Sequence, residues 1–440
     1  MVGKIYNKQK RDSFRSLLVD FIDYDHELVL LASQIEWDNF AVFDNQTVRS
    51  SIPIRLVLGC LMLKWTYNLG NEALPEAWKM NPFMRYFCGI THIEHDFLCD
   101  PCDFIHFRKS IGEKGMEKIF IYLALTHVRK AREKQVLSDT IGQVTKSPPW
   151  NDLATHTKFA KNMIDSCNTL AKQIGVEQRQ TYRRVSKQVV YDAIDPKQAK
   201  KASKIPKTIA GRLVRDFGNE SSAQKLSLNQ ESLKLYRKII ELKRTDKNWI
   251  YRIHTPFTAC ITKGKTHKRY EFGNKIDLLK VSKTRIITAI RPFEVNPRDS
   301  NTIATLLDQT TQDESPLPQE VVYDRGGKRQ KQMGKNVILV SDGQSLKCDF
   351  KYQQSPPKKK FGCRAVMEPV KGHLKIDFRM RQSYLYEALL PQINAFLAAA
   401  GWNLEKIMQQ LKQASLSWLQ VLVFIFKPTN YHVTCKENAI

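Results

Sequence analysis

Asp139 closes the run Gln-Val-Leu-Ser-Asp and Asp324 closes Gln-Glu-Val-Val-Tyr-Asp, and a glycine follows each within a few residues. Apolar runs that end on such breakers predict strands leading into turns, which puts both aspartates at strand tips. In an α/β sheet that edge is where ligands bind. A third acid, Glu368, falls in the series Arg364, Glu368, Lys371, Lys375, whose spacing places one acid and three bases on one face of a helix. A plain solvated face would have the same spacing. Pro369 lacks an N–H and disfavours helical geometry at the residue before it, so the helix is expected to start or kink at Glu368. Carboxylates converging from two strands and a helix would supply the oxygen ligands that a hard cation such as Mg²⁺ takes, with phosphate oxygens completing its shell. In a basic chain this set suggests metal-assisted phosphoryl transfer on nucleic acid.

The charge supports a polyanionic partner. Among 440 residues, 70 Lys and Arg stand against 44 Asp and Glu, a formal charge of +26 and a pI near 9.6. That balance favours nucleic acid over a small neutral substrate. The longest apolar run, Trp418 to Phe426, is too short to span a bilayer, and no N-terminal run has signal-peptide character, so a cytoplasmic protein is expected. Nine scattered cysteines do not form a disulfide framework. His92, His95, Cys99 and Cys102 have spacing that could hold zinc, but Asp100-Pro101 also reads as the cap and first residue of a helix. Reduced thiols and loop histidines are the preferred reading.

The elements that must position the three acids follow from the patterning. Residues 1–130 read as helical, with helices over Ile52–Tyr67, Asn71–Met80, Asp100–Ile111 (ending at Gly112) and Glu117–Glu133. Short helices with compact turns fit a helix-turn-helix-like module. Arg108 and Lys109 are its candidate DNA contacts, with Arg108 the base reader because its planar fork suits guanine. Residues 131–440 would form the second domain, with a helical, basic insertion over 151–248. From Trp249 the period changes to two. Strands are expected over Trp249–Thr262, Tyr270–Lys280 and Arg285–Val295, then a helix over Thr302–Thr311, the Asp324 strand, a strand over Val337–Val340 and the Glu368 helix. This order predicts an α+β or mixed α/β fold. Asp342 is a rival strand-end acid, although Ser341-Asp342-Gly343 reads more simply as a turn.

The chain resembles the DDE transposases of bacterial insertion sequences, in particular the insertion-sequence-five type. Arg364, Glu368 and Lys375 match the family's Y-x2-R-x3-E-x6-K signature, with Phe361 in place of tyrosine. Asp100-Pro101 through Gly112 matches its D-P-x-x-x-x-x-F-R-x-x-I-G pattern, and Lys263-Gly264-Lys265-Thr266-His267-Lys268 matches its K-G-K-x-H-K run. The loop after Asp324, Arg325-Gly326-Gly327-Lys328-Arg329, departs from the usual D-R-G-Y-R-G. The resemblance implies a ribonuclease-H-like catalytic domain. It further implies a triad of Asp139, Asp324 and Glu368 holding Mg²⁺, or Mn²⁺ in its place, that cuts double-stranded DNA at the element's terminal inverted repeats and joins it to target DNA. Lys263, Lys265, His267, Lys268, Arg325, Arg364, Lys371 and Lys375 would contact DNA, and the chain would assemble as a homodimer on it. The alternative is a catalytically decayed DNA-binding derivative.

Overall fold

In the computed structural model the described residues are 16–46, 52–94, 96–131, 135–144, 153–174, 180–192, 204–220, 223–241, 250–251, 258–262, 270–293, 297, 299–312, 318–323, 332–333, 337–341, 363–381 and 390–425. The helices in chain order are α1 (Glu27–Gln34), α2 (Ile54–Thr66), α3 (Ala73–Met80), α4 (Pro82–Phe87), α5 (Pro101–Ala131), α6 (Leu153–Ile174), α7 (Arg183–Asp192), α8 (Lys204–Glu220), α9 (Ala223–Glu241), α10 (Asp299–Gln312), α11 (Met367–Ile376) and α12 (Leu390–Ile425). The strands are β1 (Gln135–Val144), β2 (Ala259–Thr262), β3 (Tyr270–Val281), β4 (Ile287–Phe293), β5 (Glu320–Tyr323), β6 (Gln332–Met333) and β7 (Val337–Ser341). Together they make a mixed α+β architecture. No helix among the described residues is long and apolar enough to cross a membrane.

The strands form one sheet in the order β2-β3-β1-β5-β7-β6, with β4 also on β3. β1, β3 and β4 are antiparallel neighbours, whereas β5 is parallel to β1 and β7 parallel to β5. The period-two runs from residue 270 onward are therefore the strands the alternation predicts. Of the expected Trp249–Thr262 strand, Ala259–Thr262 pairs with β3 from Ala259 opposite Gly273, Ile250, Tyr251 and Thr258 are not in a strand, and the remaining residues lie outside the described ones.

Asp139 is not at the tip of β1. The ladder between β1 and β3 runs from Val136 opposite Val281 to Val144 opposite Gly273, so the strand continues through Gly142. On the other side of β1, pairing with β5 among the described residues covers Gln135 to Leu137. Asp139 is therefore inside one ladder and two residues beyond the described part of the other.

The N-terminal helices share a core with the sheet. Buried Leu58, Leu61, Phe104 and Phe120 belong to the same apolar cluster as Ile276 and Ile290 of the sheet, Met367 and Leu374 of α11, and Phe396 and Leu404 of α12. α2 is buried on nearly every side, as an all-apolar helix must be. Helix α5 opens with a reciprocal cap, in which Asp100 Oδ1 accepts from the Cys102 N–H at 2.8 Å and Asp103 Oδ2 accepts from the Asp100 N–H at 2.8 Å. Gly112 interrupts α5 at φ 66°, a left-handed value suited to glycine, and separates the two helices expected there. The helices of 153–241 bury a separate cluster that includes Ile164, Leu213 and Leu233.

Candidate active site

Glu368 and Asp139 come together through one lysine. The Lys371 Nζ lies 2.7 Å from Asp139 Oδ2 and 2.7 Å from Glu368 Oε1. Arg364 Nη2 approaches the same Asp139 oxygen at 3.1 Å, and Asp139 Oδ1 accepts from the Thr140 N–H at 2.8 Å. The Asp139 side chain is only 5% exposed, so these charge-assisted bonds offset the cost of taking a carboxylate out of water. Glu368 differs in being 71% exposed.

Local sequence explains the helix side of this arrangement. Pro369 falls in the first turn of α11, where its missing N–H costs nothing, and the helix starts at Met367. Glu368 is thus held next to the positive end of the helix dipole. Arg364 is not on the same helix as the other three residues. It sits in the preceding 3₁₀ turn, Cys363–Val366, and its approach to Asp139 comes from that turn. Buried Met367, Val370 and Leu374 anchor the adjacent face of α11.

The Lys371 contact, followed by the charges of Lys371, Arg364 and Lys375, holds the Glu368 carboxyl below the usual carboxylate range against a smaller desolvation effect. A depressed folded-state value adds stability that is present above the ordinary glutamate range and is lost as pH falls through the lowered value. Replacing Lys371 with methionine should move the Glu368 titration upward, which carbon-detected NMR of the side-chain carboxyl can follow. An unchanged titration would show that the lysine contact does not govern this acid.

Two carboxylates sharing one ammonium show that their oxygens can converge on a single cation. Hard oxygen donors at that convergence fit Mg²⁺ or Mn²⁺ in place of the ammonium. Among the described residues no group of three or more His, Cys, Asp or Glu side chains forms a metal cluster. Asp324 lies outside the described residues, as do Arg325, Asp342, Phe361, Lys263, Lys265, His267 and Lys268. β5 ends at Tyr323, with Leu137 of β1 opposite Val322. Lys375 is half-buried on α11.

Arg108 is misplaced for reading bases. Its side chain is buried, at 4% exposure, and its guanidinium lies 5.9 Å from the centre of the Trp65 ring. Burial draws the guanidinium down to about 10. The residue follows Phe104 by four and precedes Ile111 by three, so it falls within the apolar stripe of α5, and that spacing was the available signal. Lys109 is exposed. In the possible zinc string, Cys99 is buried and Cys102 exposed, so the two thiols point to different environments; His95 lies outside the described residues.

Residues 16–110 match the family model described as a transposase domain (DUF772). The chain is also 28% identical over 193 residues to an uncharacterized protein, ORF8 in the nfe locus of Rhizobium meliloti, covering 42% of this chain and 91% of that protein. No solved structure matches. These similarities support a transposase family for the chain.

Proposed function

We propose that the protein is an insertion-sequence transposase of the insertion-sequence-five type, cutting DNA at the element's ends and joining it to target DNA by a DDE mechanism. The observation that carries this reading is the Asp139–Lys371–Glu368 bridge, which unites two candidate triad acids from distant parts of the chain. Asp324 would complete the triad: it is two residues beyond Val322, as Asp139 is two beyond the paired Leu137. An antiparallel meander of β1, β3 and β4 extended by parallel β5 and β7 supports the ribonuclease-H-like assignment.

Asp139 and Glu368 would hold Mg²⁺, or Mn²⁺, with Asp324. When bound, the metal sharpens the attacking oxygen and stabilises the leaving one. Arg364 keeps Asp139 oriented while Lys371, released from its bridge, turns with Lys375 toward the phosphate backbone. Lys109, Lys263, Lys265, His267, Lys268 and Arg325 would add backbone contacts whose strength falls with salt. The helical region ahead of β1 would bind the terminal inverted repeats, and two copies would assemble on the DNA.

The test is incubation with duplexes carrying the element's terminal repeat, with Mg²⁺, with Mn²⁺ and with chelator. Metal-dependent nicking at the repeat boundary, followed by joining of the free 3′ end, is the expected result. Tight end binding with no nicking in either metal would instead identify a decayed DNA-binding derivative.

A further inference from the structure

A second polar centre lies away from the carboxylates, where α2, α5 and the segment after α11 meet. Lys64, Arg108 and Arg379 surround a cavity of about 300 Å³, with Asn71 and Asn394 on its wall and Glu72 on its rim. Lys64 and Arg108 are 6% and 4% exposed, and both lie over the Trp65 ring, the ammonium at 4.9 Å and the guanidinium at 5.9 Å from its centre. Lys64 Nζ donates to Asn71 Oδ1. Arg379 Nη1 donates to the Leu69 carbonyl at 2.6 Å, and Asn394 Nδ2 donates to the Arg379 carbonyl at 3.3 Å.

Buried cations need counter-charge, and among the described residues Lys64 and Arg108 form no ion pair. Arg108 Nη1 is buried and has no hydrogen-bond partner among the described residues. The cavity's lining includes one carboxylate, Glu72, which belongs to an exposed residue. An uncompensated charge taken from water is costly unless paired, and the pressure is visible in Lys64, which burial and then the charges of Arg108 and Arg379 draw down to about 7. An anion seated here would restore the full ammonium. Two guanidiniums, an ammonium and carboxamides are the donor set that a tetrahedral oxyanion takes.

We propose that this cavity is a phosphoryl-anion site, taking one phosphate group through Lys64, Arg108 and Arg379. Its volume admits a phosphate with part of an attached ester but no folded macromolecule. Arg379 follows α11 by three residues, so occupancy would tie the far end of the Glu368 helix to α2 and α5. The phosphate could belong to a DNA backbone or be a free phosphoryl anion.

Calorimetric titration of the full chain with inorganic phosphate tests the site. Binding by the unaltered protein is expected, weakened about tenfold or more by Lys64→Met or Arg108→Gln. Glu72→Gln, a change at an exposed residue that the fold should tolerate, should tighten binding several-fold by removing the rim charge. No phosphate binding by the folded, unaltered chain, or the same affinity in Glu72→Gln and the unaltered chain, would overturn the proposal. Competition with duplex DNA then separates the sources. Displacement of phosphate by the duplex assigns the site to a backbone phosphate, and simultaneous binding assigns it to a free anion.

Discussion

Replacing Asp139 or Glu368 with alanine is expected to reduce end cleavage by about 10³-fold or more while leaving end binding nearly unchanged. In the proposed mechanism both acids are metal ligands, and losing one would remove several kcal/mol of transition-state stabilisation, each 1.36 kcal/mol being about tenfold in rate. The two acids should nevertheless differ in their structural cost. Asp139 is buried against Arg364 and Lys371, so its alanine variant leaves two cations facing an empty position and should also lose stability. Glu368 is largely exposed, and its removal costs the fold little. Cleavage assays, filter binding and thermal melts on the two variants check all three expectations. Appreciable cleavage by folded Glu368→Ala would remove that residue from the catalytic set.

The sheet was the most legible part of the chain. The strands expected over Tyr270–Lys280 and Arg285–Val295 correspond to β3 and β4, although β3 is buried on both faces from Phe272 to Val281. Gly112 and Pro369 were legible as punctuation, since each has a backbone restriction that only certain positions accept. The extent of β1 was not. Gly142 looks like a breaker, yet it pairs with Lys275 inside a long ladder that holds it extended. Helix α4 was missed although Asn81-Pro82 has a capping signature, with Asn81 Oδ1 accepting from the Phe83 N–H at 2.9 Å. Helix α12 was missed because Ile393 to Leu404 is buried on all sides, so no polar face reports the helical period.

At the candidate site, spacing placed Arg364, Glu368, Lys371 and Lys375 on one helix face, whereas Arg364 belongs to the preceding 3₁₀ turn, and spacing could not say which base reaches Asp139. That contact depends on how α11 packs against β1, a long-range relation that local pattern does not encode. Arg108 fails for the opposite reason. Its type suggested a ligand contact, whereas its phase within the stripe of Phe104 and Ile111 dictated burial. Phase along the helix outweighs residue type at such a position.

Asn403→Leu should be among the most destabilising single changes in the chain, costing about 2–6 kcal/mol, because it strips both partners from one buried backbone unit. Asn403 is fully buried in α12, with Oδ1 accepting from the Ile287 N–H at 2.8 Å and Nδ2 donating to the Ile287 carbonyl at 2.9 Å. Among the described residues β4 pairs only with β3, so this carboxamide does for Ile287 what a neighbouring strand would do. Leucine fills the volume but offers neither donor nor acceptor, and each orphaned buried group costs about 1–3 kcal/mol. The same turn receives two further bonds from α12, Trp402 Nε1 to the Arg285 carbonyl at 2.9 Å and Gln410 Nε2 to the Thr284 carbonyl at 3.1 Å. Gln410 is exposed, so water replaces its bond and Gln410→Ala should cost only about 0.5–1 kcal/mol. The effect of Asn403→Leu should extend to the site, since β4 holds β3 and Leu278 of β3 lies opposite Asp139. Urea unfolding of the two variants measures the difference, and amide exchange at Ile287 and Leu278 locates it. If Asn403→Leu and Gln410→Ala lose equal stability, the carboxamide is not a substitute for a strand partner and α12 holds the sheet by apolar contact alone.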